Sequence, residues 1–115
     1  MTEAEAILSL RKAIPVEGED WTYLWRLCVM PGSMVDPHTH HGWTAVCHVP
    51  PSEGEPPIEL LVDGEVLYPD PWEVIVIPPN VEHAVNTNLG KLARLSFALT
   101  MIPGDNRQVL KNVTR

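Results

Sequence analysis

Three histidines are the residues of this chain best suited to carry chemistry. His38 and His40 sit on alternate positions in Pro31-Gly-Ser-Met-Val-Asp-Pro-His-Thr-His40, and His83 follows the run Ile77-Pro-Pro-Asn-Val-Glu82. On an extended chain, residues i and i+2 face the same way. His38 and His40 can therefore converge on one point from a single strand end. A third imidazole from a later strand would complete one face of a coordination sphere, and neutral imidazole is the commonest metal ligand among side chains. His41 lies next to His40 and faces the other way on a regular strand. His48 shares the parity of His40 and can point into the same interior, unless a bulge at Gly42 shifts the alternation. Arg26 and Arg94 are lone charges in otherwise apolar runs. Either could grip a carboxylate in two parallel bonds, and solvent-facing alternation explains both equally well. Tyr23 and Trp25 share one strand face and read most simply as packing, while Glu73 and Glu82 read as surface.

The elements that must position these side chains are mostly strands. Residues 2–14 form the one expected helix, with Thr2 and Glu5 in capping-box spacing, Ala4, Ile7, Leu8 and Ile14 as its apolar face, and Pro15 ending it. Residues 21–30 alternate large apolar side chains, which predicts a half-buried strand. A second extended run covers 38–49, and the proline-rich segment 50–57 is a loop, because proline cannot donate to a sheet ladder. Residues 58–62 and 65–68 flank Asp63-Gly64, the strongest hairpin signal in the chain. Residues 74–77 form a short apolar strand, 83–87 and 91–102 a last pair, and the polar tail from Pro103 wraps the outside. Many short strands separated by turns predict an all-β sandwich or barrel.

Composition sets outer bounds. A chain of 115 residues with 44% hydrophobic content is expected to be one globular domain, spanning residues 1–115. Its 15 acidic against 8 basic residues give a formal charge of −7, and no basic cluster exists. That argues against a nucleic-acid or anionic-membrane partner. Cys28 and Cys47 make no disulfide framework and read as buried, reduced thiols. With neither a signal-peptide pattern nor an apolar run of membrane-spanning length, a cytoplasmic location is the expectation.

Across about residues 21–102 the chain resembles the cupin superfamily, small double-stranded β-helix or jelly-roll barrels. The first motif of that family reads glycine, five residues, His-x-His, three or four residues, then glutamate. Gly32, residues 33–37 and His38-Thr39-His40 match it, and the glutamate position falls on Thr44 or Ala45. The second motif reads glycine, five residues, Pro-x-Gly, two residues, His, three residues, Asn. Pro78-Pro79-Asn80 and His83 fit it, with Trp72 at the first glycine, Asn80 at the second, and Thr87 at the final Asn, flanked by Asn86 and Asn88.

The resemblance implies a metal inside the barrel held by His38, His40 and His83, without the family's usual carboxylate. Three neutral imidazoles leave the full charge of a divalent ion uncompensated and keep positions open for water, oxygen or an anionic substrate. Cupins with this all-histidine pattern include the thiol dioxygenases and a diketone-cleaving dioxygenase, both iron enzymes. The leading expectation is therefore a dioxygenase-like oxidoreductase acting on a small organic molecule, with Fe2+ favoured over Zn2+, Mn2+ or Ni2+. A non-redox zinc or manganese cyclase or isomerase is the second reading. A non-catalytic ligand-binding or regulatory cupin is the third. The resemblance also implies a homodimer, and four Trp in so short a chain suit an exposed apolar interface.

Overall fold

The computed structural model describes residues 1–15, 21–33 and 36–102, apart from the side chains of 21–23, 85–87 and 102. The polar tail from Pro103 lies outside the described residues. The chain opens with helix α1 (Glu3–Ala13) and continues as strands β1 (Trp21–Val29), β2 (Thr44–His48), β3 (Glu59–Val62), β4 (Glu65–Leu67), β5 (Ile75–Ile77), β6 (His83–Thr87) and β7 (Arg94–Ile102). Two antiparallel sheets result, one ordered β1-β7-β2-β5 and the other β4-β3-β6. This is the all-β jelly-roll arrangement with one N-terminal helix that the sequence predicts.

Each sheet position follows from local chemistry. Asp63 and Gly64 both hold positive φ, 50° and 80°, as a type I′ turn demands, and β3 and β4 pair from Val62↔Glu65 outward. β7 is the spine of the larger sheet, paired along its length to β1 and through its middle, Ser96 to Thr100, to β2. Strand alternation then sorts its side chains into two cores. Val46 and Ala98 point inward, where they meet Leu60 and Ile77 with Trp25, Leu27 and Val62 against them. Ala45, Cys47, Phe97, Leu99 and Met101 point outward and would be wet without α1, which seats Ala6, Leu10 and Ile14 on them. Among the described residues, no helix is long and apolar enough to cross a membrane.

Three expectations need correcting. The buried face of α1 is Ala6, Leu10 and then Ile14, while Leu8 is 52% exposed and Ala4 is also exposed. Cys28 is exposed, because β1 is an edge strand and Leu24, Arg26 and Cys28 on one of its faces are all left exposed. Cys47 is buried as expected, and burial pushes its thiol up to about 11, so it stays protonated and unreactive. The second strand is shorter than expected. Regular pairing begins only at Thr44, after a bend at His41-Gly42.

The N-terminal cap is a complete capping box: Glu5 N–H donates to Thr2 Oγ1 and Thr2 N–H donates to Glu5 Oε1. Thr2→Ala should lower stability by about 1 kcal/mol. An unchanged urea midpoint would mean that docking on the sheet alone holds the helix.

Candidate metal centre

The histidine cluster is assembled by backbone, not by side-chain packing alone. His38 N–H donates to the His83 carbonyl and His83 N–H to the His38 carbonyl, both at 2.9 Å, an isolated antiparallel bridge. This pair of bonds places two residues far apart in sequence directly across from one another. A third bond, from Asn80 N–H to the His40 carbonyl at 2.7 Å, fastens the second histidine of the first motif to the turn before His83. The turn itself is stiff, because Pro78-Pro79 fix their own φ.

The result is a compact group. The available donor atoms of His38, His40 and His83 all lie within 4.8 Å of one another, and ring centroids are 4.5–5.1 Å apart. His40 and His83 are buried and His38 is half-buried, so the group opens toward solvent on the His38 side. His38 Nδ1 faces the Asp36 carbonyl at 2.6 Å, and His83 Nδ1 faces the Val81 carbonyl at 2.9 Å. A carbonyl only accepts, so each Nδ1 carries the proton and each Nε2 keeps its lone pair for a ligand. Such backbone partners orient ligating imidazoles in metal sites.

Burial disfavours charging His83, and a charged His38 would disfavour it further, while the bond to the Val81 carbonyl works the other way. The sum holds the His83 pKa below that of an ordinary histidine. Its ring is neutral and ready to ligate at neutral pH. The donor set would suit a divalent transition metal, for which imidazole is a natural ligand.

Thr44, one of the two positions where the family motif would put glutamate, is buried on the interior face four residues beyond His40; Ala45, the other, lies in the outer core. Thr44 Oγ1 lies 3.4 Å from Thr100 Oγ1, long for a bond between hydroxyls. No acidic side chain joins the group of three histidines among the described residues. His41 is exposed at the bend before β2 and is not part of the group of three. His48 does face inward, but it closes the other end of β2, and Arg94 lies near it instead of near the histidines. Arg26 is exposed and pairs with Glu3 of α1, a surface contact of small energetic weight. Trp25 packs in the inner core, and Glu73 and Glu82 are exposed.

Two features were not legible as functional. Trp72 and Asn80, at the two glycine positions of the second motif, hold φ of 64° and 63°; Gly32 of the first motif holds 77°. The backbone shape survives where the glycines do not. Asn88 is 1% exposed, and its Nδ2 donates to the carbonyls of Val29 at 2.8 Å and Leu92 at 2.9 Å, while Oδ1 accepts from Gly90 N–H at 2.9 Å. Its carbonyl also accepts from Gly32 N–H at 2.9 Å. Asn88 therefore anchors the turn that launches the segment leading to His38. The signal was the Asn-Leu-Gly turn beside the motif's final position.

No family model matches the chain, and no curated protein matches it. Solved structures do. A cupin 2 conserved barrel domain protein from Salinispora arenicola superposes with a TM-score of 0.59 at 21% identity, over 90% of this chain and 80% of that one. The Cnp3 cupin domain of Schizosaccharomyces pombe gives 0.57 at 18% identity, over 90% and 68% of the two chains. KdgF from a Halomonas species gives 0.56 at 17% identity, over 80% and 78%. A bridge between His38 and His83 inside a two-sheet jelly roll, and neighbours of the same architecture that cover 90% of this chain, show that it has the fold of the cupin barrels.

Proposed function

We propose that the chain is a metal-dependent cupin, with His38, His40 and His83 as the ligands of one divalent ion and a small anionic organic molecule as its substrate. The observation that carries the reading is the convergence of three imidazoles within 4.8 Å, with two of the rings turned by backbone carbonyls so that Nε2 is free. A bound ion there would supply Lewis acidity and, if it is iron, redox chemistry with dioxygen. The protein's own part is positional. Neutral ligands leave the charge of the ion to attract an anion, and Thr44 and Thr100 line the interior with small hydroxyls where a carboxylate would otherwise repel one. Within this reading we favour Fe2+ and a dioxygenase-type oxidation.

Metal analysis of protein purified without a polyhistidine tag is the test. About one equivalent of iron, with oxygen uptake when the ferrous protein meets thiol or diketone substrates, is the expected result. Stoichiometric zinc or manganese without oxygen uptake would replace the oxidative reading by that of a cyclase or isomerase. Protein that binds no divalent metal at all would leave a ligand-binding cupin. The proposal includes a homodimer, for which the edge strand β1, with Leu24 exposed at 44% and Met30 just past its end at 58%, offers a surface. Sedimentation as a monomer at micromolar concentration would remove that part.

A further inference from the structure

At the end of the sandwich away from the histidine cluster lies a cavity of 280 Å³, lined by His48, Glu55, Tyr68, Asp70, Arg94 and four prolines. The two ends are set by register. Thr44 pairs with Thr100 at the metal end, and His48 pairs with Ser96 at the other. Arg94, Ser96 and Ala98 share parity on β7, so the guanidinium stem enters on the interior side.

Arg94 is unusual for a charged group. It is only 6% exposed, and its Nη1 donates to the Pro56 carbonyl at 2.7 Å. A guanidinium carries five N–H donors in a planar fork. Among the described residues, no carboxylate comes within ion-pair distance of it. Glu55 acts on it electrostatically, but Glu55 Oε1 is already the acceptor for Lys91 N–H at 2.9 Å and Leu92 N–H at 2.7 Å. Buried cations are normally paired, because leaving water without a partner is costly. Ser96, opposite His48 in the sheet and two residues from Arg94, is 1% exposed, and its hydroxyl has no hydrogen-bond partner among the described residues. Groups of this kind in an interior call for a polar ligand.

We propose that this cavity is a second binding site, for a small monocarboxylate, with the Arg94 fork as its anchor and His48 beside it. A carboxylate matches the fork in two parallel bonds. A monoanion is favoured over a dianion because Glu55 and Asp70 line the same space and the chain carries −7, so repulsion doubles with ligand charge. The body of the ligand is short and apolar. The volume is at the lower end of ligand pockets, and the walls are prolines and the Tyr68 ring, whose hydroxyl is engaged in donating to Glu59. The site does not depend on the metal reading, since it uses none of the three histidines.

The test is a titration with sodium propionate at constant ionic strength, followed by proton–nitrogen NMR including arginine side chains. It is run on the protein as purified and on His83→Ala. Saturable shifts at Arg94, His48 and Ser96 are expected, with a Kd on the order of 1 mM, and the same in His83→Ala. Arg94→Lys keeps the charge but loses the fork and should weaken binding at least about tenfold. Inorganic phosphate should bind more weakly than propionate. Shifts confined to the neighbourhood of His38 and His40, no saturation, equal affinity in Arg94→Lys, or tighter binding of phosphate would each overturn the proposal. If Arg94→Lys does not fold, the shift map of the unaltered protein decides alone.

Discussion

Alanine at His38, His40 or His83 should each weaken binding of a divalent metal by well over 100-fold. That is about the upper end of what losing a mere orienting partner costs in metal sites, and here a ligand itself is lost. His41→Ala should leave affinity unchanged within about threefold, because His41 is exposed and lies outside the group formed by the other three rings. The contrast is sharp because all four residues are histidines, and two of the ligand positions flank or adjoin the control. A metal titration of the four purified variants reads it directly. Loss in His41→Ala with retention in His83→Ala would reduce the cluster to a local surface site between residues 38 and 41.

Acid should empty the site in a definite direction. Protons and metal compete for the same Nε2 lone pairs. With only imidazole ligands, release should set in as pH falls below ~6, near the unperturbed histidine value. The depressed pKa of His83 has its own sign. Its folded ring resists protonation, so the stability tied to neutral burial is fully present above the unfolded pKa of ~6.5 and is lost as pH falls through the lower folded value. Metal held well below that range would mean that a carboxylate takes part.

Asn88→Ala should cost about 3 kcal/mol, among the largest effects of any polar substitution here. Three side-chain hydrogen bonds vanish at once: the buried Val29 carbonyl loses its partner, and so do the part-buried Leu92 carbonyl and Gly90 N–H. Each bond contributes on the order of 1 kcal/mol net, and stranded buried groups add to that. The loss should also reach the metal centre, since the turn carrying Gly32 hangs on the Asn88 backbone and leads to His38. Denaturant unfolding and a metal titration of the same variant check both. A change of less than 1 kcal/mol would show that the turn is held from elsewhere.

What the sequence made legible was local or periodic. The Thr2–Glu5 cap, the Asp63-Gly64 hairpin and the bounds of His83–Thr87 depend on a few adjacent residues, and the structure reproduces them. The i, i+2 parity of His38 and His40 likewise needs only an extended backbone. The convergence with His83 came from the motif resemblance and needed the fold to become visible, because a bridge between residues 38 and 83 has no local signature. The same holds for the helix face. Which stripe of α1 is buried depends on which side the sheet approaches, and Ala6 to Ile14 won over Ala4 to Leu8 for that reason alone. Arg94 read equally well as a surface or a binding residue, since strand parity cannot say whether an inward-facing position lies beneath a loop. Here the segment through Pro56 covers it.

Trp72 and Asn80 carry a wider consequence for how such chains are recognised. A pattern written in amino-acid types scores both as departures from the second motif. A pattern written in backbone angles scores both as agreement. An L-residue in the left-handed region gives up about 1 kcal/mol that glycine would not. Trp72 regains some of that by packing against the outer core, and Asn is among the few residues that tolerate the region well. The motif is thus a conformational specification that more than one alphabet can satisfy. Chains that spell it without glycine will be found by their shape before they are found by their letters.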